Sequence, residues 1–185
     1  MPVLAADYHK DAGGVYIEGS YELLMADDIR WGNLNKEGVA VDPESRRNLL
    51  FVKQAYMRLA QSLVNRGQND SAVAVLDRCL EFFPDEKIPY DFYMLSYPEV
   101  YYKAGAAAKG DEIINKIVAN CLDNLRYFSE LDVRFIPYYA ETIRENLAMI
   151  NEMSNVAKRG NRIELNMRLE NTLEEEFGKF MYLFN

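Results

Sequence analysis

Histidine occurs once in the 185 residues, at His9, and that scarcity removes most hydrolytic chemistry. One imidazole leaves no Cys/His pair, no H-E-x-x-H zinc motif, and no Ser/His/Asp triad unless His9 itself serves. Phosphate-cradling loops of the G-x-x-x-x-G-K type are missing too. Cysteine is nearly as rare: Cys79 and Cys121 stand alone in apolar helical runs, without C-x-x-C spacing, and read as small buried side chains. Basic residues are outnumbered, 21 Lys+Arg against 29 Asp+Glu, for a net charge of -8. That is the wrong sign for neutralising phosphates, so nucleic acid is excluded as a partner. Nowhere do about 18 apolar residues run together, so the chain reads as not spanning a membrane by itself. Met1 to Ala6 is apolar, but too short for a signal-peptide core and without its basic lead.

What is present is the composition of a folded domain, 49% hydrophobic and 27% charged. Asp7, His9 and Asp11 alternate as a metal site on an extended segment would, yet a solvated loop explains so short a trio better. Asp27 with Asp28, and Glu174 to Glu176, read as solvated acidic faces rather than acid/base pairs. The expectation is no catalytic residue, no cofactor, no metal ligand, and no enzyme activity in this chain.

Helix signals begin at Asp42, a capping residue, followed by Pro43, which suits the first helical position, and Glu44, which complements the first-turn dipole. Val52, Tyr56, Leu59 and Leu63 recur at helical spacing until Gly67, which predicts a helix over 43–66. After the short turn Gly67 to Asp70, the stripe Ala72, Val75, Leu76, Cys79, Phe83 predicts an antiparallel partner stopped by Pro84. A third helix is expected over Tyr90 to Ala104, kinked at Pro98 and ended by Gly105, and a fourth carries Ile113, Ile114, Ile117, Cys121, Leu125 and Phe128 on one face. Asp132 is expected to cap a long helix bearing Ile136, Tyr139, Ile143, Leu147, Ile150, Met153 and Val156, with Gly160 turning the chain into Ile163 to Phe177. The tail Phe180 to Phe184 is expected to dock on that last hairpin. Ahead of all this, Gly13, Gly14, Gly32 and Gly38 interrupt any long period. Residues 1–41 read as an irregular arm with one short helix, Ser20 to Ile29, packed through Tyr16, Leu23, Leu24 and Trp31.

Tyr56, Leu59, Ala60, Leu63, then Ala72, Leu76 and Pro84 reproduce the spacing of large, small and proline positions in a tetratricopeptide repeat, and the segment resembles that family. Small residues at 60 and 72 let two helix backbones approach. Aligned on turn glycines, Met94, Tyr97, Pro98, Tyr101 and Ile114 fall in the same slots of a second unit. Met149, Met153, Val156, Leu165 and Leu169 fall there in a third, with Glu152 in an apolar slot. The resemblance implies an all-α fold of about three TPR-like helical hairpins over 42–185, one structural domain with the 1–41 arm. In such repeats the inner helices line a groove for a protein or peptide partner. Here Gln54, Met57, Gln61, Asn65, Phe92, Glu99, Tyr102 and Lys103 would face it. The aromatic cluster Tyr90, Phe92, Tyr93, Tyr97, Tyr101, Tyr102 is expected to be mainly core, its exposed members being candidates for a sugar ring or peptide.

A second resemblance covers most of the chain. Trp31-Gly32-Asn33-Leu34, Asp42 with Arg46-Arg47, Arg58-Leu59-Ala60, Val75 to Cys79, Pro89-Tyr90-Asp91 and Tyr101 to Gly105 are similar, in order and spacing, to a bacterial family of multi-pass membrane proteins of unknown function. They match its C-terminal extramembrane domain. The N-terminal part of that family resembles protein O-mannosyltransferases and other glycosyltransferases that use lipid-linked sugars. The resemblance implies a scaffold or interaction domain tethered in the cell envelope on the periplasmic side, with Met1 an internal residue. The alternatives are a glycan- or acceptor-binding accessory domain, or a cytoplasmic repeat protein if the chain is complete. No catalytic residue carries over, because the transferase-like region would lie upstream.

Overall fold

The Asp42 carboxylate accepts the backbone N–H groups of Glu44 and Ser45, each at 3.0 Å, and Pro43 supplies the first helical residue, so the first long helix starts where local chemistry places it. The computed structural model describes residues 7–9 and 13–184. Among them the protein is all-α apart from a short antiparallel strand pair, β1 (Asp7–His9) and β2 (Gly13–Val15). Seven helices follow: α1 (Ile17–Leu24), α2 (Pro43–Asn65), α3 (Asn69–Phe82), α4 (Tyr97–Lys103), α5 (Ala107–Ser129), α6 (Ala140–Arg159) and α7 (Ile163–Phe180). The chain divides into two compact units. One runs to Pro89 and takes in Val100–Ala106, and the other holds Tyr90–Glu99 and everything from Ala107. The 41/42 boundary read from the sequence is the start of α2 and lies inside the first unit.

In the first unit α2 packs on α3. Tyr56, Leu59, Ala60 and Leu63 meet a face carrying Ala72, Val75, Leu76 and Cys79, all essentially without solvent access. Each fully buried large side chain contributes about 1.5–3 kcal/mol of transfer free energy. The arm is held on this pair by α1, whose carbonyl at Leu24 accepts the Tyr56 hydroxyl at 2.9 Å, by Arg78 on the Ala26 carbonyl at 2.8 Å, and by Trp31, edge-on to Phe83 at 5.4 Å. The short helix begins three residues earlier than expected and stops before Met25. An eight-residue helix has room to bury one stripe, Ile17 and Leu24, and so Tyr16 and Leu23 stay exposed. Lys53 and Ser62 are the polar residues of α2 buried in this core; the Lys53 stem is covered and its ammonium donates to the Ile88 carbonyl at 3.2 Å.

In the second unit α5 packs on α6 and α6 on α7. Ile114, Ile117 and Leu125 join Ile143, Ile150 and Met153 in the core, with Leu169 contributed by α7. Polar seams fix the register. Asn124 donates to Asn146 at 3.1 Å, and Asn166 donates to the Ser154 hydroxyl at 2.8 Å and carbonyl at 3.2 Å. The tail does dock in part: Phe180 is buried and Phe184 lies 4.9 Å from Phe177, while Met181 and Tyr182 remain about half exposed.

Two helices expected to be continuous are each broken, at a short aspartate-capped turn ahead of a proline. Tyr90 to Ala104 is a 3-10 turn, Phe92–Met94, led by Asp91, followed by a separate helix. Pro98 occupies the first turn of α4, where its missing N–H costs nothing, instead of kinking a longer helix. Asp132 does not cap α6. Its carboxylate takes the Arg134 backbone N–H at 3.0 Å, a 3-10 turn containing Pro137 follows, and α6 starts only at Ala140.

The same terminal turn ends three helices. Gly67 has φ +74°, with Gly67 N bonded to Val64 O and Gln68 N to Leu63 O, both at 2.9 Å. Gly105, at φ +83°, repeats it with Ala106 N on Tyr101 O. This double bond around a left-handed residue is the Schellman closure, which satisfies the last carbonyls of a helix. In the third instance the left-handed residue is Asn161, at φ +57°, with Arg162 N on Ala157 O at 2.8 Å, and not Gly160 as the sequence suggested. The shift by one moves five of the third set of slots onto Ile150, Met153, Ser154, Ala157 and Asn166, all buried, and takes Glu152 and Leu165 out of them, while the last slot passes from buried Leu169 to exposed Glu170. Ser154 and Asn166 then stand where Ala60 and Ala72 stand in the first hairpin, a hydrogen-bonded pair replacing a small-residue pair.

Because Asp42 is held as a carboxylate by Ser45, its acidity is raised, and the sign of its linkage follows. Its stabilising contribution is complete above the ordinary value of 3.8 and is lost as pH falls through the lower folded-state value. Asp42→Asn is therefore expected to melt below the parent at pH 7 and with it at pH 2, as thermal melts at both pH values would show.

Candidate functional site

Four of the residues expected to face a groove share one stripe of α2, because they are spaced three, four and four residues apart. Gln54 and Asn65 are exposed, Met57 and Gln61 are half-buried, and the Gln61 amide donates to the Asn65 side chain at 3.1 Å. This mixed stripe sets one thioether among three carboxamides and carries no titratable group. Tyr102, half-buried, and Lys103, exposed, belong to the same unit on α4. Phe92 and Glu99 belong to the second unit. Phe92 is 69% exposed, and Glu99 faces Arg159 at 3.7 Å, which Glu152 also holds at 2.8 Å.

The aromatic cluster separates by role. Tyr90, Tyr97 and Tyr101 are buried, and Tyr101 donates to Asp77 at 2.9 Å. Phe92 and Tyr93 form an exposed edge-to-face pair with centroids 6.0 Å apart, presented by the 3-10 turn that Asp91 caps.

Perturbed acidities lie elsewhere and have structural causes. Hydrogen bonding from Arg66 holds Glu18 low, and Arg134 does the same to Asp132. Glu152 raises Arg159. Burial raises the Tyr56 phenol and pushes the Cys121 thiol up to about 12. A thiol in that state is unreactive, since the thiolate is the nucleophile. Neither Cys79 nor Cys121, both buried and unbridged, is expected to react with a thiol reagent until the chain is unfolded, which a timed absorbance assay with and without denaturant reads out.

Among the described residues no group of three His, Cys, Asp or Glu is placed to hold a metal ion. Of the alternating trio, Asp7 and His9 lie on β1 and Asp11 falls outside the described residues.

Three concavities are not legible in the sequence, the smallest, about 340 Å³, beside Val39, Arg46 and Lys87. One, about 560 Å³, opens beside Asp111 and Asn115 of α5 and Arg162 and Arg168 at the head of α7. Arg162 already grips both Asp111 oxygens there, at 3.0 Å from Nε. Another, about 460 Å³, lies between α6 and α7 and is floored by Leu147, Ala148, Leu173, Phe177 and Phe184. Asp111 and Arg162 are far apart in sequence, and no local signal pairs them. Leu147 and the apolar tail were legible as a stripe and a docking segment, but not the gap left between them. No family model, no curated protein and no solved structure matches this chain.

Proposed function

We propose that this chain is a non-catalytic interaction module of TPR-like helical hairpins, forming the extramembrane C-terminal part of a glycosyltransferase-like membrane protein of the bacterial envelope. The observation that carries the modular reading is the thrice-repeated helix closure at Gly67, Gly105 and Asn161, with buried residues recurring in register ahead of each. Repeated units of that kind bury one another's apolar faces and leave side chains such as Met57, Gln61 and Tyr102 for a protein or peptide partner. The membrane-protein reading rests on the ordered motifs from Trp31 to Gly105. It is compatible with the finding that, among the described residues, no helix is long and apolar enough to cross a membrane. The reading of the coding sequence ahead of Met1 tests it. Several in-frame apolar spans of about 20 residues are expected, and an adjoining stop codon with a ribosome site would remove the membrane parent while leaving the module.

The exposed Phe92–Tyr93 pair favours a second reading, an accessory surface for a glycan or acceptor, because paired ring faces suit a pyranose. Titration with candidate glycans would then give saturable amide shifts confined to the Asp91–Met94 turn. Silence at millimolar ligand would rule the reading out.

A further inference from the structure

We infer that the α6–α7 groove is a second docking surface, built for an amphipathic helix with a basic flank supplied by a partner protein. The floor is apolar and continuous: Leu147 and Ala148 from α6, Leu173 and Phe177 from α7, closed at one end by Phe184 of the tail. Phe177 and Phe184 keep about 40% of their surface in water although their tilted rings lie 4.9 Å apart, so the tail narrows the groove without filling it. A trough between two packed helices, lined in this way, accepts apolar side chains spaced i, i+4, i+7 from a third helix.

Charge selects the occupant. The lip on α7 carries Glu170 and Glu174. Glu170 accepts a neutral amide proton from Asn166 at 3.3 Å, and among the described residues neither acid is ion-paired to a cation. On the opposite lip Arg144 is already engaged, by Glu141 at 3.4 Å, by the Leu183 carbonyl at 3.1 Å and by the Phe184 ring at 5.5 Å. The unmet charge at the rim is therefore negative, and the complementary partner is basic. A second copy of this chain is a poor candidate, since it brings a further net charge of -8 and, across a two-fold contact, the same acidic lip.

This surface lies on other helices than the α2 stripe, so the two assignments stand or fall separately. The test uses the full chain and three labelled helical probe peptides followed by fluorescence anisotropy. One probe has leucines at i, i+4, i+7 with lysine flanks, one keeps the lysines with serine for leucine, and one keeps the leucines with glutamate flanks. Saturable micromolar binding is expected for the first alone, at least about tenfold tighter than for either control. Ala148→Trp, at an exposed floor position, fills the trough and is expected to weaken binding at least about tenfold. Glu174→Lys is expected to weaken it by about fivefold at low salt, and by less as salt is raised. Circular dichroism and thermal melts verify that both variants fold. Three results would overturn the assignment: binding unaffected by Ala148→Trp, equal binding of the serine probe, or concentration-dependent dimerisation that Ala148→Trp abolishes, which would make a second copy the occupant.

Discussion

Leu59→Ala is expected to lower the unfolding free energy by about 2–5 kcal/mol, the range for deleting most of a large side chain from a site that cannot collapse around the loss. Leu59 has no solvent access, sits in the C-terminal half of α2, and points into the α2–α3 contact with Tyr56 and Leu63 on the same face. Trp31, packed 5.4 Å from Phe83, provides a local reporter. A urea titration followed by its fluorescence should therefore show the midpoint fall with little change in slope. Gln54→Ala, exposed on the same helix, is the control and should stay within about 0.5 kcal/mol of the parent. A Leu59→Ala loss below about 1 kcal/mol would mean that α2 and α3 are not packed as described.

Asn166→Ala is expected to cost about 1–3 kcal/mol, because it strands the buried Ser154 hydroxyl that Asn166 now satisfies at 2.8 Å. The informative variant is the double replacement, Ser154→Ala with Asn166→Ala. It removes both partners and recreates at this crossing the alanine pair found at Ala60 and Ala72. Replacing both members of a buried polar pair by apolar groups is close to neutral, so the double variant should be more stable than Asn166→Ala alone. Urea melts of the two single variants, the double variant and the parent complete the cycle. Additive losses would show that Ser154 and Asn166 are not equivalent to the alanine pair, and would undo the register drawn through Asn161.

What was legible in the sequence was local. Asp42, Pro43 and Gly67 bound α2 through bonds made within a few residues of themselves, and the sequence places that helix to within a residue at its end. The stripes of α3 and α5 were legible because every member of them faces one core. The breaks before α4 and α6 were not, since Pro98 and Pro137 are compatible both with a kinked helix and with the first turn of a new one. Which occurs depends on Asp91 and Asp132 taking backbone N–H groups into short turns. Gly160 and Asn161 are both able to turn the chain, and glycine is the commoner choice, so one residue of misregister entered the third set of slots and placed Glu152 where Met153 stands.

The candidate surfaces divide along the same line. The α2 stripe follows from helical spacing alone. The gap between α6 and α7 depends on how far Phe184 folds back toward Phe177, a contact made by the tail after α7 has ended, and no pattern within either helix encodes it. The grip of Arg162 on Asp111 is likewise long-range, joining the start of α7 to the first turns of α5.

The most direct test of the interaction-module account is site-specific photo-crosslinking in the native cell, with a photoreactive residue placed in turn at Met57, at Gln61 and, as a control, at Tyr138, which is 84% exposed. The account predicts one discrete protein adduct shared by positions 57 and 61 and absent at 138. No adduct at 57 and 61, or the same diffuse set from all three positions, would contradict it.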